Sequence, residues 1–164
     1  VRTALTTPRD ELPREVNSPA SPFNPMGILS AKLSFASIAS FHPPRKAAIH
    51  LWKVFVDSVD PCTKVTHIPT SETIVYTVAS DPSKATAENL GLCFAIYYAS
   101  TTALTPEEVL DVTGEDKKQV LHRYRVCLEQ SLALADFLDN PTMTLVQALA
   151  ICSVRPAEKS NDQR

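Results

Sequence analysis

Apolar residues recur along most of this chain with the period of a helix, not the alternation of a strand. Between residues 42 and 61, Ala48, Leu51, Trp52, Phe55 and Val59 fall at i, i+3, i+4, i+7 and i+11, which gathers them on one side of an α-helix. Pro43 and Pro44 suit the start of such a helix, where a missing N–H costs nothing, and Pro61 is expected to stop it near Val59. Large apolar side chains need a partner surface, since burying each is worth roughly 1.5–3 kcal/mol. This helix is therefore expected to anchor others.

Residues 65–69 are expected to be extended, because Pro69 disfavours helical geometry at Ile68. Thr70 or Ser71 then caps a helix over residues 72–79, with Glu72 in the first turn where its charge suits the helix dipole. The stretch 85–103 is apolar almost all round, with Leu90, Leu92, Cys93, Phe94, Ile96 and Tyr97 in close succession, and it predicts a helix at the centre of a bundle. Its uninterrupted apolar run is about ten residues, half of the roughly twenty that a bilayer requires. Tyr97 and Tyr98 are expected to place their rings in the core and their hydroxyls against polar partners.

Thr105, Pro106 and Glu108 form a capping-box start for a short helix that should stop at Gly114. From 116 to 138 the spacing of Leu121, Tyr124, Leu128, Leu132, Ala135 and Leu138 predicts a long helix. Lys117, Lys118, Arg123, Arg125 and Glu129 should face solvent, and an exposed Arg125–Glu129 pair would be worth only a few tenths of a kcal/mol, roughly. Asp139, Asn140 and Pro141 break the pattern, after which Thr142 can cap a last helix through Leu145, Val146, Leu149 and Cys152.

Residues 1–27 are proline-rich, and Ile28, Leu29, Leu33, Phe35, Ile38 and Phe41 follow, enough for a short helix that docks against a folded body but too weak to fix a conformation; residues 1–41 together read as a disordered or weakly ordered linker. Residues 42–153 form the folded body and 154–164 a polar tail. No alternating run flanked by hairpin turns occurs, and only three glycines are present, which speaks against sheets and phosphate-cradling loops. The fold class is all-α, an array of antiparallel helices joined by short links.

Composition changes this picture little: 44% hydrophobic and 21% charged residues are ordinary for one globular domain. A net charge of −2 supplies no general reason to bind a polyanion, and the pairs Arg45-Lys46 and Lys117-Lys118 read as solvated helix starts. Cys62, Cys93, Cys127 and Cys152 never approach the C-x-x-C spacing of a zinc site, and three of them lie in apolar patterns where a free thiol acts as a small hydrophobe. That usage suggests an intracellular chain. His42, His50, His67 and His122 have no companion nucleophile or acid at a workable spacing, and His122 and Cys127 point to different faces of one helix. Glu107 with Glu108, and Asp136 with Asp139, read as a helix start and a helix end. No catalytic, cofactor-binding or metal residue is assigned.

One set of residues is more specific. Leu51-Trp52, Phe55, Val59, Pro61 and His67-Ile68-Pro69-Thr70 resemble the opening of the fungal-specific transcription factor domain, the middle homology region of fungal binuclear zinc-cluster regulators. The stretch from Leu92 to Ala99, followed by Leu104-Thr105-Pro106-Glu107-Glu108, is similar to that family's second buried helix and its turn. Tyr124-Arg125 with Glu129, Ala133, Ala135, Phe137 and Leu138 resembles its long third segment. The likeness covers roughly residues 42–152.

The resemblance implies part of a larger, non-catalytic helical regulatory domain of a nuclear transcription factor controlling RNA polymerase II transcription. Its partners would be proteins of the transcription machinery or a second copy of itself, with no membrane involved. DNA would be bound only through a zinc cluster that this sequence lacks, so zinc is implied for that missing part and no cofactor for this chain. Because the likeness stops after Ile151, the domain is expected to be truncated, with an apolar face of its last helix exposed. The competing readings are a helical adaptor unrelated to transcription and, behind it, a small helical enzyme.

Overall fold

The computed structural model describes residues 34–153, so most of the assigned linker and the polar tail lie outside the described residues. In chain order the helices are α1 (Phe35–Ser40), α2 (Arg45–Val54), α3 (Ile68–Ser80), α4 (Ala87–Ala103), α5 (Pro106–Thr113), α6 (Lys117–Leu134) and α7 (Met143–Ser153). No strand occurs among the described residues, and the fold is all-α.

Helix α4 is the axis. Every residue from 90 to 97 is buried, as are Ala99, Ser100, Thr101 and Ala103, so it has almost no solvent face. It packs chiefly against α6 and α7, and also against α2 and α3. At Gly91 an added Cβ would lie 3.5 Å from the Cβ of Ser131, which reflects how closely α4 and α6 approach. Helix α1 lies in the stretch assigned to the weakly ordered linker, yet it packs on α6 and buries Ile38 completely. Ser34 caps it, with the Ser37 N–H donating to Ser34 Oγ at 3.3 Å.

The stripe expected on α2 is the buried one: Ala48, Leu51, Trp52, Phe55 and Val59 are all in the core. The Trp52 and Phe55 rings stack with centroids 5.8 Å apart. The end of this helix differs from expectation. The chain does not stop before Pro61 but passes through a π-helical turn, Phe55–Val59, into a further α-turn, Asp60–Thr63. The π turn breaks the i to i+4 register, so Pro61 occupies the opening of a new turn, where proline is tolerated. Lys64 closes the turn in the left-handed conformation at φ 51°. The buried Asp60 carboxylate ties this exit down by accepting the Thr66 hydroxyl at 2.7 Å and Lys64 Nζ at 3.4 Å.

Helix α3 also begins earlier than its sequence suggests, at Ile68 with His67 as N-cap. Pro69 sits within the first two helical positions, where proline is tolerated, and this outweighs its bias on the residue before it. Other boundaries follow the local rules. Thr105 and Glu108 complete the capping box, with Glu108 N donating to Thr105 Oγ1 at 3.3 Å and Thr105 N to Glu108 Oε2 at 2.8 Å. Gly114 ends α5 at φ 75°. Asp116 caps α6 by accepting from the Lys118 and Gln119 amides, and Thr142 accepts from the Leu145 amide at 3.4 Å to open α7.

Helix α6 ends at Leu134, a turn short of the expected Leu138, because Asp136 takes a left-handed conformation at φ 53°. Leu138 is consequently 72% exposed, and Met143 and Val146 on α7 are also exposed, at 74% and 50%. The charged residues of α6 depart from expectation as well. Glu129 is buried and accepts from Arg125 Nε at 3.0 Å, so removing Arg125 would strand a carboxylate in the interior. Lys117 is half-buried and donates to the terminal carbonyls of α4, Thr102 O at 3.2 Å and Leu104 O at 2.7 Å. It thereby satisfies acceptors that a helix C-terminus leaves open.

Because Trp52 is 2% exposed and stacked on Phe55, Trp52→Ala should cost on the order of 3–5 kcal/mol. Chemical denaturation measures this, and a loss below about 1 kcal/mol would mean that the ring is peripheral.

Candidate functional site

The histidines considered as chemical candidates are dispersed by the fold. His50 lies on the exposed face of α2, His122 on the exposed face of α6, and His67 at the mouth of α3 with its Nδ1 2.8 Å from Thr70 Oγ1. Glu108 is engaged in the capping box, and Asp136 is 3.4 Å from the side-chain amide of Asn140 in the turn after α6. Among the described residues no group of three or more His, Cys, Asp or Glu side chains could hold a metal ion. No described helix is long and apolar enough to cross a membrane. Cys93, Cys127 and Cys152 are buried free thiols, and Cys62 is an exposed one. Burial pushes the Cys93 and Cys127 thiols up to about 12, which keeps them protonated and unreactive.

What the fold brings together is a layer of aromatic and polar groups between α1, α4 and α6. His42, in the link after α1, places its ring edge-on to Tyr97 at 5.4 Å and to Phe94 at 6.3 Å. Tyr124 of α6 completes the group, its ring 5.9 Å from Tyr97 and 6.1 Å from Phe94. His42 Nδ1 is 2.8 Å from the Pro43 carbonyl, which can only accept, so the Nδ1 must carry hydrogen. In the neutral ring Nε2 is then the acceptor for the Tyr97 hydroxyl, 3.0 Å away. Burial lowers the His42 pKa, partly offset by the Pro43 bond, and burial raises the Tyr97 pKa well above its ordinary value. Both groups are therefore held neutral, and this pair is structural.

Tyr124 is the counter-case. Its buried hydroxyl lies outside good hydrogen-bonding geometry with Arg123, its polar neighbour, and burial, partly offset by Arg123, pushes its pKa up to about 12. Arg123 beside it lies 5.6 Å from the ring centroid and donates through one nitrogen to both Glu115 oxygens, at 2.9 and 2.6 Å. Burial alone would lower the Arg123 pKa, but the Glu115 carboxylate outweighs it and raises it. His42 and Tyr97 stand 55 positions apart, so no local motif could have marked their contact.

At the surface, α2 and α5 leave between them a groove of about 520 Å³, lined by Lys46, Ala47, Ile49, His50, Lys53, Asp111 and Val112. Lys46, His50 and Lys53 fall at i, i+4 and i+7, on the face of α2 opposite its buried stripe. A shallower depression lies along α3 beside Glu72, Tyr76 and Ser80.

Two predictions follow from the buried layer. Tyr97→Phe removes a donor and leaves His42 Nε2 unpaired, which should cost about 1–3 kcal/mol, whereas Tyr124→Phe removes an unsatisfied hydroxyl and should be neutral or stabilising. Denaturation midpoints of the two variants test this; a larger loss for Tyr124→Phe would reverse the assignment. Separately, His42 binds its proton less readily when folded than when unfolded, so the unfolded state holds more protons below about pH 6.5 and stability rises with pH there. Stability should thus be lost as pH falls from about 6.5 through the lowered folded value, and His42→Gln should flatten that slope in thermal melts at several pH values.

Comparison with known proteins bears on what such a body serves. The chain is 33% identical over 115 residues to the aurofusarin cluster transcription factor aurR2 of Gibberella zeae, an alignment covering 70% of this chain and 17% of that protein. It is 29% identical over 132 residues to the transcriptional regulator AacuB of Aspergillus aculeatus, covering 79% of this chain and 18% of that one. It is 25% identical over 167 residues to the C6 finger domain transcription factor hasF of Aspergillus fumigatus, covering 88% and 21%. The chain thus spans about a fifth of the length of the curated relatives it matches. No family model matches the chain. No solved structure matches it either.

Proposed function

The chain belongs to the family of fungal transcription regulators of the zinc-cluster type, and from that premise we propose that it acts as a non-catalytic helical regulatory and protein-interaction body. Its role is in transcription regulation. In this reading it works within a larger nuclear regulator of RNA polymerase II genes, whose DNA contacts are made by a zinc cluster outside this sequence. Zinc is required by that part and no cofactor by this one. The partners of the body are proteins of the transcription machinery or a second copy of the chain.

The observation that carries the reading is the closed core around Trp52. A small helical enzyme would need polar groups converging on an open cavity. Instead Trp52 packs on Phe55 in an apolar interior, His67 is an exposed N-cap, and the other histidines lie apart. The net charge of −2 also gives the body itself no general attraction to nucleic acid.

The test separates DNA occupancy from output. Deleting residues 34–153 from the parent regulator should change reporter transcription while promoter occupancy is retained, and the isolated chain should bind DNA weakly, without sequence preference and with strong salt sensitivity. Tight sequence-specific binding by the isolated chain, or an unchanged reporter after the deletion, would sink the division of labour.

A further inference from the structure

The groove between α2 and α5 carries an uneven distribution of charge. On the α2 wall Lys46, His50 and Lys53 are exposed, and none of them has a hydrogen bond or ion pair among the described residues. Asp111, on the α5 wall, is likewise without a partner. Between the walls lie Ala47, Ile49 and Val112. The whole chain has a net charge of −2, so this positive wall is a local feature.

We propose that this groove is a docking site for an acidic amphipathic helix of a partner protein. The proposal rests on the interaction reading above and names its surface and the chemistry of the partner. Lys46 and Lys53 are seven residues apart, about 10 Å along the helix axis, so with extended side chains they present two separate positive charges. Carboxylates spaced i and i+7 on a second helix match that separation. Apolar residues at i+3 and i+4 of the same helix meet Ile49 and Val112, the arrangement of a helix lying in a groove. Asp111 opposes acid on its own wall, so the partner's carboxylates must line the edge that faces α2. Duplex DNA is disfavoured by the same carboxylate and by the apolar floor, neither of which suits a phosphate backbone.

The probe is a fluorescent alanine-based helix of about fifteen residues, with glutamates at i and i+7 flanking leucines at i+3 and i+4. Its twin has lysines in place of the glutamates. Anisotropy titration against the whole 164-residue chain is expected to show saturable binding of the acidic helix and none of its twin. The dissociation constant should rise about tenfold or more in the double variant Lys46→Glu, Lys53→Glu and with added salt, as expected for exposed charge pairs. Glu72→Lys, on the exposed face of α3, should leave it unchanged. Circular dichroism checks that the variants keep their helices, which exposed positions predict. Equal binding of both twins, failure of the acidic helix to bind, or indifference to the double variant overturns the proposal. So does tighter, Lys46- and Lys53-dependent binding of naphthoate or of a short DNA duplex. The reporter measurement reads the regulatory role without reference to this groove, so the two readings can fail separately.

Discussion

Helix α4 has nearly no face turned to water, and the rest of the fold is arranged by the need to cover it. Leu90, Leu92, Phe94 and Ile96 alone would each forfeit roughly 1.5–3 kcal/mol if left exposed, and a helix that is apolar all round can be stabilised only by neighbours on every side. Helices α6 and α7 cover it most extensively, and α2 and α3 add to that cover. At the α4–α6 contact Gly91 faces Ser131, where a Cβ would just reach van der Waals contact and only side chains larger than alanine would hold the helices apart.

A dry interior makes every polar group in it expensive, and the fold deals with these groups individually. Ser100 Oγ lies 2.8 Å from the carbonyls of both Leu51 and Ile96, which links α4 to α2 through one shared hydroxyl hydrogen. Thr101 returns its hydroxyl to the Tyr97 carbonyl one turn back, at 2.7 Å. His42 takes the Tyr97 hydroxyl, and Lys117 closes the last carbonyls of α4. Only a few groups are left over, Tyr124 Oη and Ser131 Oγ among them. Such satisfaction specifies one packing arrangement more than it adds stability.

This division between a sealed core and a decorated surface is what suits the chain to regulation. The π turn after α2 lets the chain pass Pro61 in helical conformation, so the buried stripe continues from α2 to Phe55 and Val59, while the charged outer wall lies wholly within α2. A groove whose walls are helices of the core holds its charges at fixed spacing, which is what recognition of another helix requires.

The periodicity of Ala48, Leu51, Trp52, Phe55 and Val59, the all-round apolar character of residues 85–103, the Thr105 capping box and the Gly114 stop are each contained within one helical segment or its ends. For that reason the sequence alone was enough to read them, and with them the all-α class and the family resemblance. The candidate site was far less legible. That His42 meets Tyr97, that Tyr124 closes on both rings, that Glu129 is buried with Arg125, and that Lys117 caps another helix are contacts decided only when the helices pack. At Pro61 and Pro69 the structure keeps each proline at the opening of a helical turn, so the boundaries differ from those the proline bias predicted, and at Asp136 a left-handed residue ends α6 early and leaves Leu138 exposed. Local pattern determines which residues can form a helix and which face is apolar. Which apolar face meets which, and so which polar groups are trapped between them, depends on residues tens of positions apart, and only the tertiary structure decides that.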